Sequence, residues 1–81
     1  MTGPDAVEER IREIMCVVFD REVAPGETVA YGIEPAWDSL RHVELIFSIE
    51  DEFGVRFEEA ELARLTNLHA LVDAVARLTP S

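Results

Sequence analysis

The sequence predicts an all-α fold of three main helices and one short helix, with a long loop after the first. Three observations carry that expectation. Apolar residues recur at spacings of three and four over residues 4–19, 38–53 and 67–78, the period of an amphipathic helix. No segment alternates apolar and polar residues as a half-buried strand would. Between residues 20 and 37, Pro25-Gly26, Gly32 and Pro35 interrupt every helical period.

In the first helix, residues 4–19, Val7, Ile11, Ile14 and Val18 step by four, three and four, and Met15 and Phe19 widen that stripe. Pro4 suits the first helical position, where its missing N–H is harmless, and Asp5, Glu8 and Glu9 complement the positive end of the dipole. Cys16 lies beside the stripe and reads as a small buried hydrophobe. In the loop, Val23, Val29, Tyr31 and Ile33 are expected to pin the chain onto the helices, and Trp37 ends it. A connection this long in a compact domain is uncommon and often functional.

Asp38 is a good N-cap for a second helix over residues 38–53. Leu40, Val43 and Phe47 form one apolar row and Ile46, Ile49 and Phe53 a second, giving a wide apolar face. Glu44, Ser48 and Asp51 fall opposite and form an acidic face. Gly54 ends the helix as a C′ residue does. Residues 58–65 form the short third helix, with Leu62 and Leu65 facing inward. Thr66 or Asn67 caps the last helix, 67–78, whose apolar positions are Leu68, Val72, Val75 and Leu78, and Pro80 stops it.

Composition narrows the function. The 81 residues carry 17 acids against 7 bases, all of them arginine, for a formal charge of −10. A chain of this length buries only about 60% of its unfolded surface, which leaves little room for a large enclosed active site. The acidic balance argues against nucleic acid and anionic membranes, which need clustered basic residues, and suggests basic protein partners. No apolar run approaches a membrane span. The start, Met1-Thr2-Gly3-Pro4-Asp5, lacks the regions of a signal peptide, and the lone Cys16 allows no internal disulfide. Those features fit the cytoplasm.

Catalytic motifs are weak. Ser39 and His42 share a three-residue spacing that would suit a small serine hydrolase, but no G-x-S-x-G elbow surrounds Ser39. His42 and His69 belong to no metal-binding pair and read as partly exposed helix residues. Asp20 and Glu22 begin a sequence faintly like a calcium loop, yet Pro25 takes the place of its required glycine. The four glycines are scattered, so no phosphate-cradling loop exists.

What remains is Asp38-Ser39-Leu40 at a loop-to-helix junction, followed by Val43-Glu44-Leu45 and Glu50-Asp51-Glu52-Phe53. This combination resembles the acyl carrier protein (phosphopantetheine-attachment) family. Phe57, Glu58-Glu59, Leu65-Thr66 and Leu68 fall where that family places its third helix and the start of its fourth. The resemblance covers residues 33–78 and implies a four-helix bundle, with residues 1–81 forming one carrier domain.

It also implies that Ser39 is esterified by 4′-phosphopantetheine taken from coenzyme A. The arm's thiol then holds acyl or aminoacyl groups as thioesters and carries them between enzymes, so the protein is a shuttle rather than an enzyme. The implied partners are a phosphopantetheinyl transferase, an acyl- or aminoacyl-loading ligase or transferase, and ketosynthases or other tailoring enzymes. The expected state is a monomer. By the same resemblance Asp38 and Glu44 meet partner enzymes, Leu40 and Phe47 belong to that docking surface, and Glu50 and Asp51 extend it. A core role for Ile46 and Phe47 stands beside an apolar docking role.

Residues 38–61 hold eight acids and two bases, −6 of the total −10, so the charge is concentrated beside Ser39. Weak, fast and reversible association is what such complementary charge supplies. Two departures from the fatty-acid-synthesis pattern stand out. Pro35-Ala36-Trp37 precedes the serine motif where glycine and a small residue are usual, and Arg41-His42 follows it. Trp37 either packs the loop end onto the helices or touches the arm or a partner. These departures favour specialised metabolism, polyketide-like or nonribosomal, over housekeeping fatty-acid synthesis. An unmodified acidic interaction module is the alternative of a different class.

Overall fold

The computed structural model describes residues 4–27 and 29–79, with the side chains of Pro4 and Asp5 excluded. Four helices follow in order: α1 Pro4–Phe19, α2 Ser39–Phe53, α3 Glu59–Leu62 and α4 Leu68–Leu78. The fold is all-α, as the periodicity indicates. α1 packs against both α4 and α2. The expected dipole role of Asp5 and the stop at Pro80 lie outside the described residues.

The core is one cluster. α1 supplies Val7, Ile11, Ile14, Met15 and Phe19; α2 supplies Leu45, Ile46 and Ile49; α4 supplies Leu71, Ala74 and Val75. Loop residues Val23, Val29, Trp37, Phe57 and Leu65 close it. Of the expected stripe of α4, Val75 is fully buried and Leu68 and Val72 pack against the core, but Leu78 is exposed, and Leu71 and Ala74 are fully buried beside them. Leu71 and Ala74 stand three apart, on the same face of α4.

Three helix ends are chemically defined. The Asn67 side chain accepts from Ala70 N–H over 2.8 Å, so Asn67, not Thr66, caps α4. Gly54 adopts φ 65°, the left-handed conformation of a C-cap, and its N–H reaches the Glu50 carbonyl. α1 closes differently. Asp20 takes φ 54° without being glycine, and Arg21 N–H donates to the Cys16 carbonyl over 3.2 Å. That is a Schellman-type closure with aspartate in the left-handed position. α3 is shorter than the expected 58–65: after Leu62 the chain continues in single turns, with Arg64 N–H donating to the Glu61 carbonyl and Leu65 N–H to the Leu62 carbonyl.

The loop after α1 is laid down by hydrogen bonds as well as by apolar anchors. Val23 N–H meets the Cys16 sulfur at 3.2 Å, which leaves that thiol half-buried. Tyr31 N–H donates to the Thr66 carbonyl over 2.8 Å, beside a single antiparallel bridge between Ala30 and Asn67. Two turns follow, Glu34 N–H to Ala30 and Trp37 N–H to Glu34. Val23 and Val29 are buried as expected, whereas Ile33 is 74% exposed and pins nothing. Its neighbour Gly32, at φ 91°, turns the chain outward at that point.

Candidate functional site

The loop delivers the chain to Asp38, whose extended backbone starts α2 and whose carboxylate accepts from Arg41 N–H over 2.8 Å. Ser39 is the first helical residue and is exposed. Its hydroxyl lies 3.2 Å from the Tyr31 hydroxyl. A serine at this point cannot retreat into the helix, because the cap fixes the backbone direction just before it.

Beneath the serine sits a packed aromatic group. Trp37 is 2% exposed and lies 5.4 Å, centroid to centroid, from Phe19 of α1. Its indole N–H donates to His42 Nδ1 over 3.0 Å. An indole nitrogen only donates, so Nδ1 carries no proton, and Nε2–H donates to the Leu62 carbonyl over 3.1 Å. Both nitrogens of His42 are therefore committed to holding Trp37 and the end of α3. His42 is not positioned as a base for Ser39, and the hydrolase pairing suggested by their spacing is not formed.

Arg41 is committed as well. Its guanidinium donates to the Val18 carbonyl over 3.1 Å, joining the start of α2 to the last turn of α1. A cation there also meets the negative end of the α1 dipole. The two residues that depart from the family pattern after the serine motif thus serve to seat α2. Trp37 packs the loop end, the first of its two readings.

Along α2 the expected docking residues divide. Leu40, Val43 and Phe47 are 68%, 48% and 65% exposed, so this row faces solvent and only the Ile46 row belongs to the core. The correction has a geometric reason: two adjacent rows exceed the arc that α1 can cover, and the buried Leu45, Ile46 and Ile49 already fill it. Asp38, Glu44 and Asp51 are exposed around the row. Glu50 departs from the exposed acids. It is half-buried, and its carboxylate accepts from Phe57 N–H over 2.8 Å, clamping the turn after α2. Arg10 of α1 reaches Glu52 at 2.8 Å and holds that carboxylate below its usual range.

Sequence reasoning missed Tyr31 as a neighbour of Ser39, Arg41 as a helix tie and Val43 as a surface residue. The length of the loop was the one signal that pointed toward Tyr31. Among the described residues no helix is long and apolar enough to cross a membrane, and no group of three His, Cys, Asp or Glu residues is arranged to hold a metal ion.

Comparison with known proteins agrees with this geometry. The phosphopantetheine attachment site family model matches residues 9–75. The chain is 39% identical over 62 residues to polyketide-8 synthase acyl carrier protein 2 of Streptomyces avermitilis, covering 75% of this chain and 71% of that protein. It is 32% identical over 77 residues to acyl carrier protein 1 of the same synthase, covering 93% and 92%. It is also 32% identical over 66 residues to a non-reducing polyketide synthase of Emericella nidulans, where it covers 82% of this chain but spans only 3% of that protein. The chain belongs to the acyl carrier protein family, and its covalent prosthetic group is 4′-phosphopantetheine.

The residues present fit that group. Two serines lie among the described residues; Ser48 is half-buried in the middle of α2, and Ser39 is exposed at its start with the hydroxyl at the surface. An exposed hydroxyl with no committed base of its own suits modification by a second enzyme rather than self-catalysis.

Proposed function

We propose that Ser39 is the residue esterified by 4′-phosphopantetheine and that the chain serves polyketide-type assembly as a non-catalytic shuttle. The supporting observation is the placement of Ser39: an exposed hydroxyl one residue after the Asp38 cap, within the segment that matches the attachment-site family. When attached, the arm supplies a terminal thiol that holds acyl groups as thioesters. The chain's own residues do the rest. Asp38 fixes the start of α2, Arg41 ties it to α1, and Trp37 with His42 hold the loop so that the hydroxyl stays outward.

The partners in this reading are a phosphopantetheinyl transferase, an acyl-loading enzyme and a ketosynthase. Their contact surface is the exposed row Leu40, Val43 and Phe47 flanked by Asp38, Glu44 and Asp51. Apolar groups at its centre and charge at its rim give orientation and fast arrival without tight binding. Glu50 adds charge at the edge, though its carboxylate is partly spent on Phe57.

The test is intact mass after incubation with a transferase and coenzyme A. Wild type should gain one phosphopantetheinyl group and Ser39→Ala none. A wild-type chain left unmodified by several broad-specificity transferases would remove the assignment. An unchanged gain in Ser39→Ala would move it to another residue.

A further inference from the structure

Tyr31 stands eight residues before Ser39 in the chain, yet its hydroxyl lies 3.2 Å from Ser39 Oγ. Three features hold it there. Its backbone N–H is fastened to the Thr66 carbonyl at 2.8 Å. Its ring meets Trp37 edge-on, with centroids 6.3 Å apart and planes at 83°. It meets His42 in the same manner at 5.8 Å and 70°. Those two rings are themselves fixed, Trp37 by burial against Phe19 and His42 by hydrogen bonds at both nitrogens. The hydroxyl is thus carried to Ser39 on a packed platform.

Between two hydroxyls either oxygen can donate. Esterification removes that freedom. As the Ser39 Oγ–P bond forms, the pyrophosphate P–O bond of coenzyme A breaks, the adenosine bisphosphate half leaves with those electrons, and the serine proton is released. Oγ then has no hydrogen to give, and charged phosphate oxygens stand beside it. Tyr31 becomes the donor of the pair. A hydrogen bond to a charged acceptor is roughly twice as strong as one between neutral groups. The nearby cation Arg41 is turned away, toward the Val18 carbonyl.

We infer that the Tyr31 hydroxyl is a phosphate-binding group that holds the near end of the attached arm, an inference that rests on Ser39 being the attachment residue. Trp37 and His42 act through it as positioning residues. The phosphodiester is held at the surface beside the loop, which fixes the direction in which the arm leaves the protein while its thiol end remains free to reach into partner enzymes.

Phosphorus NMR of the loaded protein tests this. Wild type and Tyr31→Phe are each incubated with a transferase and coenzyme A, intact mass confirms one group on each, and thermal unfolding confirms that both are folded. The wild-type resonance should be displaced from that of the same group on an unstructured Asp-Ser-Leu peptide. In Tyr31→Phe it should move toward the peptide position and narrow. Coincident resonances in the two proteins would overturn the inference.

A second measurement needs no variant. Tyr31 is the chain's one tyrosine, so carbon NMR of its labelled Cζ should shift between the unloaded and loaded wild type, and an unmoved signal would also overturn it. A wild type that takes up no group, or takes it at a residue other than Ser39, removes the attachment assignment itself and is recognised by mass before any spectrum is recorded.

Discussion

The indole N–H of Trp37 donates to Nδ1 of His42 over 3.0 Å, and His42 passes the connection on to the Leu62 carbonyl over 3.1 Å. The buried indole N–H, two residues before Ser39, is thereby tied to α3 through one imidazole. Replacing His42 by Ala leaves a buried indole N–H without its partner, while the Leu62 carbonyl still accepts from Leu65 N–H. An unsatisfied buried group costs about 1–3 kcal/mol, so His42→Ala should lower stability by that amount in chemical denaturation. His42→Gln, which can still accept from the indole, should recover part of it. The emission of Trp37, the one tryptophan, should change in His42→Ala and report the lost bond directly.

Two residues two positions apart on α2 should behave in opposite ways. Ile49 is fully buried and Phe47 is 65% exposed. Ile49→Ala removes core packing and should cost about 2–5 kcal/mol. Phe47→Ala should change stability by only about 0.5 kcal/mol, as surface substitutions do, while weakening capture by a partner enzyme. Urea unfolding and surface plasmon resonance against a ketosynthase or transferase would measure both; equal losses of stability would show that the face assignment is wrong.

Charge reversal addresses the rim of the same surface. Glu44 and Asp51 are exposed, and electrostatic steering acts on association more than on dissociation. Glu44→Arg and Asp51→Arg should slow the second-order rate of modification by a transferase at low salt. The difference from wild type should shrink as ionic strength rises. Unchanged rates at low salt would place partner recognition elsewhere.

Asp20 closes α1 in a left-handed conformation, φ 54°. Aspartate tolerates that region better than a β-branched residue, for which it costs roughly 1–2 kcal/mol. Asp20→Val should therefore destabilise the protein by about that amount, whereas Asp20→Gly should not lower its melting temperature. The comparison is made by thermal unfolding followed by circular dichroism.

Acid sensitivity follows from two carboxylates, Glu52 exposed and Glu27 half-buried. The hydrogen bond from Arg10 holds Glu52 below its ordinary value near 4.5, and the hydrogen bond from Arg21, aided by Ala24 N–H, does the same for Glu27. A carboxyl group whose folded value is depressed contributes stability above its unfolded value. That contribution is lost as pH falls through the folded one. Glu52→Gln should therefore lower the neutral plateau of melting temperature slightly and flatten its fall below about pH 4.5. Both groups are at the surface, so added salt should reduce the difference.

Much of this arrangement could be read from residue spacing. The three long helices follow from apolar steps of three and four, and Asp38 and Gly54 are local signals that bracket α2. Ser39 was reached because the residue types around it form a recognisable pattern. Other features depend on which surfaces meet. Spacing alone could not say that the Leu40 row faces solvent, because its period is that of a core row, and only the limited width of α1 decides between them. Nor could it place Tyr31 against Ser39. That pairing arises because the loop is anchored at Thr66, far along the chain, and then folds back over Trp37. Glu50 misled for a related reason: an acid on an acidic helix reads as exposed until a backbone N–H from the next turn is found to need it.

α2 runs without interruption from Ser39 to Phe53, and this makes it a ruler. The rise from Ser39 to Phe47 is about 12 Å along the axis, set by backbone geometry rather than by any contact. An enzyme that grips Phe47 thereby knows where the Ser39 hydroxyl lies, in both distance and angular phase. Inserting one alanine between Glu44 and Leu45 would advance the grip by a single residue's rise yet swing it roughly 100° around the helix. A partner seated on Phe47 would then find the Ser39 hydroxyl pointing elsewhere.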